Sequence, residues 1–275
     1  MNRTIVLGVV ALCSALPLAG QTRSEPQILL SIFAGLGGGT DLWAVERQPL
    51  LVITTPGSLL PPVYDTLRLS RQIRPGLVAG INATYFPSSH VGFLGEISLL
   101  GLELEDRCEM IAEDVGADPQ QRNRQVCNDI EGRGGAASAV AFFTGALVRT
   151  SPGPVVPYLR MQAGFTTRQL SLTSLDGRFL DGSTGRVVTR GIYVDQGGGR
   201  LDMAAALGTG IMVQVTPGYQ FRIEVRDHLL RVAQVAGPTT PTNPGVPPVT
   251  SSYQHSLTLL VHLDIVLERT RGRRY

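Results

Sequence analysis

The residues of this sequence that could carry chemistry are charged side chains and histidines placed at alternate positions of short segments. They are Glu96, Arg160, Arg222, Glu224, Arg226, His228, His262 and Asp264. If they face one interior, their opposite charges must pair there, because an unpaired buried charge is very costly. We interpret them as salt bridges that fill an interior. Two other interpretations stay open, a narrow pore lined by charge and a histidine base oriented by a carboxylate.

Motifs for catalysis and cofactor binding are poorly formed. The Gly-Ser-Thr-Gly stretch at 182–185 lacks the spacing of a nucleophile elbow. The glycine-rich stretch at 35–40 is followed by neither a helical pattern nor a lysine, which a phosphate-binding loop would need. The acidic residues Asp114, Asp118 and Asp129 do not have calcium-loop spacing. We therefore predict a non-enzymatic protein with no catalytic residue, no cofactor and no metal site.

The segments that must position the charged residues alternate apolar and polar side chains, as β-strands do. The clearest is a hairpin over 73–104, with a turn at 87–90. On its first arm one parity holds Ile73, Leu77, Ala79, Ile81, Ala83 and Tyr85. The other parity is mostly Gly, Asn and Thr, where a water-facing strand would carry longer polar side chains. Small residues suit the crowded lumen of a narrow barrel, so we predict that the apolar side contacts lipid.

Eight such strands are predicted, at about 28–37, 73–85, 91–104, 137–149, 158–166, 202–215, 221–228 and 256–265. The connections between them alternate between long and short, and the first long one is interpreted as irregular from about Pro49 to Leu67. External loops and periplasmic turns alternate in this way in outer-membrane barrels. We predict an all-β fold, a transmembrane up-and-down antiparallel barrel of eight strands formed by residues 21–275. A secreted soluble barrel or sandwich is the alternative.

Aromatic residues collect beside the predicted short turns. The set is Tyr85, Phe86, Phe93, Tyr158, Tyr219 and Phe221. Aromatic side chains are enriched where a membrane protein crosses from hydrocarbon to water. We predict that these six form a girdle on the periplasmic side.

The beginning of the chain and its cysteines predict export. A basic start, a short apolar run and small residues up to Gly20 indicate a signal peptide over 1–20 that is removed. Cys13 leaves with it, and Cys108 and Cys127 remain in one long connection. We predict that they form a disulfide in an oxidising compartment. The alternative is a pair of free thiols.

Composition restricts the partners. A net charge of +2 favours no particular partner and gives no reason to expect nucleic acid. Charged residues make up 17% of the chain, below the roughly 25% of an average soluble domain. Beyond the signal there is no apolar run long enough for a transmembrane helix, and lipid tolerates only helices and closed barrels. Something other than water therefore covers part of the surface.

Two segments resemble strands of a known family. Pro157-Tyr158-Leu159-Arg160 leading into Ala163-Gly164, and the stretch 222–227, are similar to strands of small eight-stranded outer-membrane β-barrels, the family of the OmpA transmembrane domain and OmpX. The resemblance implies a monomer in the outer membrane of a Gram-negative bacterium. Its partners would be membrane lipid, the barrel assembly machinery and an extracellular molecule bound by the loops.

Three functional hypotheses follow from the predicted fold. The first is a structural or surface-interaction role, with an interior filled by polar and charged residues. The second is a porin-like narrow channel for small solutes. The third is a membrane-embedded lipid-modifying enzyme that uses His228 or His262.

Overall fold

The computed structural model describes residues 26–52, 61–150, 153–168, 172–194, 200–216, 218–240 and 244–268. The predicted signal peptide lies outside these ranges. Within them the chain forms twelve strands and one helix, α1 (Arg122–Ile130). The strands are β1 (Gln27–Gly37), β2 (Thr40–Leu51), β3 (Tyr64–Arg74), β4 (Gly76–Phe86), β5 (Val91–Ala112), β6 (Gly134–Arg149), β7 (Val155–Arg168), β8 (Leu175–Asp181), β9 (Arg186–Tyr193), β10 (Arg200–Thr216), β11 (Tyr219–Val235) and β12 (Val249–Glu268).

Eight of these strands close into an antiparallel barrel. Its order is β1, β4, β5, β6, β7, β10, β11 and β12, and β12 pairs back onto β1 with Gln27 opposite Glu268. The connections at one end are short, at 87–90, 150–154 and 217–218, and those at the other end are long. The predicted fold class, strand number and alternation of loops are confirmed.

The barrel places apolar side chains outside and polar ones inside. On β11, buried residues at even positions alternate with exposed ones at odd positions from Tyr219 to Arg226. Phe221, Ile223 and Val225 are 45%, 48% and 44% exposed, whereas Arg222, Glu224 and Arg226 are 0% exposed. This polarity is the reverse of that in a water-soluble barrel, which buries its apolar side chains.

The first long connection contains two strands in its described residues, so the prediction of an irregular segment was wrong there, and its residues 53–60 lie outside the described ranges. β2 and β3 form a hairpin, and β3 pairs with the outer half of β5. Two register shifts in β2, between Asp41 and Trp43 and between Val45 and Gln48, break the period of two. Pro49 is tolerated because β2 lies at the edge of the sheet.

Strand boundaries around Pro75 and beyond Leu104 also differ from the prediction. Ile73 lies near the end of β3 and is buried, whereas Leu77 on β4 is exposed, so the two do not share one face of a single strand. β5 continues to Ala112, into a stretch predicted to be loop, and α1 follows it. No helix in the described part of the chain is long and apolar enough to cross a membrane.

Candidate functional site

The centre of the lumen holds a closed ring of four ion pairs. Arg160 Nη2 lies 2.5 Å from Glu96 Oε2, and Arg160 Nη1 lies 3.1 Å from Glu224 Oε2. Arg226 Nη1 lies 2.6 Å from Glu96 Oε1, and Arg226 Nε lies 2.6 Å from Glu224 Oε1. Each arginine therefore contacts both glutamates, and the ring joins β5, β7 and β11.

A second group of contacts continues from this ring towards β12 and β1. Arg222 Nε lies 2.8 Å from Asp264 Oδ2, and Arg222 Nη2 donates to Ser31 Oγ at 2.8 Å. Gln220 Nε2 also donates to Asp264 Oδ2, at 2.8 Å. The Tyr158 hydroxyl donates to Glu224 Oε2 at 2.6 Å. Arg222 Nη2 lies 3.3 Å from His262 Nδ1, and His262 Nε2 lies 3.4 Å from Glu224 Oε2, so His262 joins these contacts to the ring in one polar network across the lumen.

The network balances its own charge. It contains Arg160, Arg222 and Arg226 against Glu96, Glu224 and Asp264, and all six side chains are 0% exposed. Removing such groups from water costs several kcal/mol per ion, and only close pairing with further hydrogen bonds offsets that cost. Pairing in this structure follows from strand register, because Arg160 and Arg226 face each other across a single residue of β10, Gly208.

Glycines on β10 leave the space that the network occupies. A Cβ at Gly208 would lie 2.5 Å from Glu224 Oε1 and 3.1 Å from Arg160 Cγ. Gly210 stands between Tyr158 and Glu224 in the same way, and a Cβ there would lie 3.0 Å from the Tyr158 hydroxyl oxygen. Larger residues at these two positions would displace the ionic side chains from one another.

Apolar side chains close the lumen on both sides of the charged layer. The layer at the short-turn end comprises Leu29, Phe86, Leu94, Leu147, Val156, Tyr158 and Met212. On the other side, buried residues of the barrel strands include Phe33, Val78, Leu100, Phe143 and Leu260. The lumen is therefore filled in three layers, apolar, charged and apolar.

The structure buries all eight residues of the predicted polar cluster and brings seven of them into the network. His262 belongs to it, with Nε2 3.4 Å from Glu224 Oε2 and its ring centroid 4.8 Å from that of Phe33. His228 lies further along β11, with its ring centroid 5.9 Å from that of Phe143. Neither histidine is on the outer wall of the barrel.

Two of the six residues predicted as a girdle are inside the barrel, and their assignment was wrong. Phe86 is 1% and Tyr158 is 4% exposed. Phe86 follows the outward-facing Tyr85, and successive residues of a strand point to opposite faces. Arg149 covers its ring, with Cζ 3.8 Å from the centroid. The other four, Tyr85, Phe93, Tyr219 and Phe221, are exposed on the outer wall.

At the long-loop end the connections form a cap, whose apolar core continues the upper apolar layer of the lumen. Its central buried side chains are Trp43, Leu67, Leu69, Val126, Ile130, Leu172, Leu175, Phe179 and Tyr193. Trp43 Nε1 donates to the Leu172 carbonyl at 3.0 Å, and the Tyr193 hydroxyl donates to Gln48 Oε1 at 2.9 Å. Burial raises the pKa of the Tyr193 phenol. The first and third long connections are thereby packed together.

Buried polar contacts and a disulfide complete the cap. Arg71 donates to both Asp106 oxygens, at 2.5 and 2.9 Å, and to the Leu172 carbonyl at 3.0 Å. Cys108 on β5 and Cys127 on α1 form a disulfide with a Cα separation of 5.3 Å, as predicted. Hydrogen bonds from Arg74 and Gln72 hold the pKa of the Glu105 carboxyl below its usual range.

Two polar residues of the connection that holds the cysteines, Asp118 and Asn123, have structural roles in the cap. Asp118 is buried and accepts from the backbone N–H of Arg122, at 2.6 Å, where α1 begins. Asn123 Nδ2 donates to Asp65 Oδ2 at 2.7 Å. An acidic residue a few positions before a helix is a capping signal that could have indicated α1. The residues that the structure describes contain no group of three metal-ligating side chains.

The closed antiparallel barrel of eight strands, with an apolar wall and an ionic lumen, has the architecture of small outer-membrane β-barrels. No family model matches the chain, and no curated protein matches it. Among solved structures, outer membrane protein OprG from Pseudomonas aeruginosa aligns at a TM-score of 0.41 and 10% identity, over 90% of this chain and 99% of that one.

Two further solved structures give similar alignments. Neisserial surface protein A aligns at a TM-score of 0.38 and 11% identity, over 88% of this chain and 99% of that one. Ail of Yersinia pestis, in complex with the heparin analogue sucrose octasulfate, aligns at a TM-score of 0.37 and 11% identity, over 89% of this chain and 100% of that one. At TM-scores this low they are resemblances only, and the strand pairing of this chain defines its fold.

Proposed function

We propose that this protein is an integral barrel of the bacterial outer membrane with a closed lumen, and that it serves as a non-enzymatic carrier of a rigid external surface. The observation that carries the proposal is the reversed polarity of the barrel, apolar outside and ionic inside. Such a wall is stable in lipid and would be exposed to water at great cost in any soluble setting.

The few polar groups on the wall support a lipid environment. Thr144 Oγ1 donates to the Leu94 carbonyl at 3.2 Å, and Thr209 Oγ1 donates to the Tyr158 carbonyl at 3.1 Å. In hydrocarbon a hydroxyl has no water to bond to, so it must find a partner on the protein itself. The hydroxyls of Thr144 and Thr209 each donate to a carbonyl on a neighbouring strand.

The outward residues of β5 indicate where hydrocarbon would end. Ile97 and Leu99 are exposed apolar side chains, and further along the same face Glu103, Arg107 and Glu109 are exposed charged ones. Charged side chains are stable outside the hydrocarbon core and costly within it. We place the outer boundary of the hydrocarbon between Leu99 and Glu103, which leaves the cap in water.

The filled lumen argues against the channel hypothesis. A solute would have to pass two apolar layers and separate arginine–carboxylate pairs that are 2.5–3.1 Å apart. The enzyme hypothesis is disfavoured because His228 and His262 are buried in the lumen, where lipid on the outer wall does not reach them. A structural or surface-interaction role, exerted through the cap, fits the arrangement best.

Three measurements test the proposal: gel migration, membrane fractionation and conductance in lipid bilayers. The unheated protein is expected to migrate faster on a detergent gel than the boiled one and to fractionate with outer membranes. Purified protein in planar lipid bilayers is expected to give no stepwise conductance. Recovery in a soluble fraction would contradict the membrane assignment, and reproducible conductance steps would contradict the closed lumen.

A further inference from the structure

The β8–β9 hairpin in the cap is a sheet of only two strands, separate from the barrel sheet. Within the described residues, each strand therefore has one edge that no other strand covers. An uncovered edge presents backbone N–H and C=O groups that can pair with another chain, and proteins usually protect such edges. The two edges of this hairpin are treated differently.

The outer edge of β8 is covered by side chains from the α1 region. The N–H of Arg178 donates to Asp129 Oδ2 at 2.9 Å, and that of Leu180 donates to Gln125 Oε1 at 2.9 Å. The N–H of Gly182 donates to Gln120 Oε1 at 3.3 Å. The outward N–H groups of these three alternate residues thus all have side-chain acceptors. Another strand could pair there only by displacing the side chains of Asp129, Gln125 and Gln120.

The outer edge of β9 is open. The N–H groups of Arg178 and Leu180 point to the α1 region, and backbone groups alternate in direction along a strand. The backbone groups of Phe179 therefore point to β9, where Phe179 pairs with Val188. The N–H and C=O groups of Val187 and Thr189 must then point away from β8. No hydrogen bond within the described chain reaches them.

The open run has a definite length and is accessible. Residues 186–189 are all exposed, and Val187 is 66% exposed. At its far end Val194 donates its N–H to the Gly245 carbonyl at 2.6 Å, which closes the edge. The run 186–191 spans about 20 Å at roughly 3.3 Å per residue, enough for one short strand.

Charge on β9 indicates what kind of strand would fit. The strand carries Arg186 and Arg190 and no acidic residue. The Arg190 guanidinium donates to Asn123 Oδ1 and to the Leu51 carbonyl, both at 2.6 Å, whereas Arg186 is exposed and has no ion pair within the described residues. Opposite charges on facing positions of neighbouring strands are favourable, and like charges are not.

We propose that the open edge of β9 binds an extended, acidic segment of a partner protein as a third strand of the hairpin. Main-chain hydrogen bonds to Val187 and Thr189 supply the affinity, and a carboxylate opposite Arg186 supplies selectivity. This inference rests on the proposed surface role, because it names a partner for the cap.

The test uses full-length protein in detergent micelles and a labelled synthetic heptapeptide that alternates glutamate with valine or threonine. Fluorescence anisotropy is expected to show saturable binding. A second peptide of the same sequence carries N-methyl groups on the alternate backbone nitrogens whose N–H would point to β9. It is expected to bind at least about tenfold more weakly, because two or more backbone hydrogen bonds of about 1 kcal/mol each are lost. Equal binding of both peptides would overturn the proposal.

Variants of β9 assign the binding to its edge. Thr189→Pro removes an outward N–H that β8 does not use, and it is expected to weaken peptide binding about tenfold, whereas Thr189→Val, which keeps the backbone, is expected to leave binding unchanged. Arg186→Ala is expected to reduce affinity severalfold and Arg186→Lys to retain it. Unchanged affinity in Thr189→Pro, or concentration-dependent self-association in place of peptide binding, would overturn the proposal. If Thr189→Pro disturbs the hairpin, the N-methylated peptide still decides the question.

Gel migration of unheated and boiled samples is measured on the same preparations. If the protein shows heat-dependent migration but does not bind the peptide, the edge proposal alone is overturned. A protein that shows no heat-dependent migration and does not fractionate with membranes overturns the proposed function as well.

Discussion

The middle layer of the lumen and the core of the cap are both buried, but they are built from opposite kinds of side chain. Charged side chains meet in the lumen behind an apolar wall, whereas apolar side chains meet in the cap behind a charged surface. The same strand, β5, takes part in both, with Glu96 buried below and Cys108 buried above. The environment outside each region decides which side chains it buries, because a wall must match the medium that it contacts.

The stabilising contacts of the two regions differ accordingly. In the lumen, stability depends on mutual satisfaction of charges that cannot reach water, so the loss of one member leaves others unpaired. In the cap, stability comes from many apolar contacts, a few buried hydrogen bonds and one covalent link. The following substitutions are expected to separate these two kinds of packing, starting with the largest effect.

Glu224→Leu is expected to have the largest effect. It removes the partner of Arg160, Arg226 and the Tyr158 hydroxyl at once, and breaking a buried ionic network in this way costs about 3–5 kcal/mol. Most of the protein should fail to reach the fast-migrating folded form. Glu224→Gln keeps the shape and is expected to lose less. A Glu224→Leu variant with unchanged stability to urea would show that the ring is not a stabilising unit.

Removal of the disulfide is expected to loosen the cap and to leave the barrel intact. The cysteines are 19 residues apart in sequence, and closing a loop of this size contributes about 3 kcal/mol in the chain-entropy description. A Cys108→Ser, Cys127→Ser protein should be cleaved faster by trypsin at Arg124, while its gel migration stays heat-dependent. Equal cleavage rates would mean that the apolar core alone holds α1.

Gly208→Ala is expected to destabilise the barrel by about 1–3 kcal/mol, the usual cost of overpacking a filled interior. The added methyl group would lie too close to Glu224 Oε1 in the lumen. Gly95→Ala is the matched control, since Gly95 lies on the outer wall and a Cβ there would meet no atom within 4 Å. Urea unfolding in micelles measures both, and equal midpoints would contradict the role given to Gly208.

The smallest expected effect is a pH dependence of the local stability of β3 and the outer half of β5 in the cap. The pKa of Glu105 is lowered by hydrogen bonds from Arg74 and Gln72, so its stabilising contribution is present above the unfolded pKa of about 4.3. It is lost as pH falls through the lower folded value. Hydrogen exchange in β3 and the outer half of β5 should therefore increase below about pH 4, and Glu105→Gln should remove this dependence. An unchanged profile in Glu105→Gln would assign the effect to other carboxylates.

The lumen could be predicted from sequence because its signal is local. Successive side chains of a strand in a barrel wall point to opposite faces, so a few residues of β11 are enough to assign its two faces. This rule places Arg222, Glu224 and Arg226 on the same inward face. The same rule, applied strictly, would have placed Phe86 inside, opposite in facing to Tyr85. Parity along the strand, and not proximity to a turn, decides the facing of Phe86, so its assignment to the girdle is wrong.

The cap could not be predicted in the same way. Its strands β2 and β3 contain register shifts, and its helix is short. The residues that hold it together come from distant parts of the chain, as when Trp43 donates to the carbonyl of Leu172. Such contacts have no periodic trace in the sequence, and only the disulfide between Cys108 and Cys127 was visible beforehand.

The ionic ring also has a consequence for assembly. Its members are far apart along the chain, with 64 residues between Glu96 and Arg160 and 130 between Glu96 and Arg226. An incomplete sheet that had inserted its first strands would carry Glu96 into the bilayer with no counter-charge. Glu96 on β5 gains its first counter-charge only when Arg160 arrives with β7, and the second when Arg226 arrives with β11. A sheet that stops at β6 would therefore hold an unpaired carboxylate within hydrocarbon, which makes that intermediate costly.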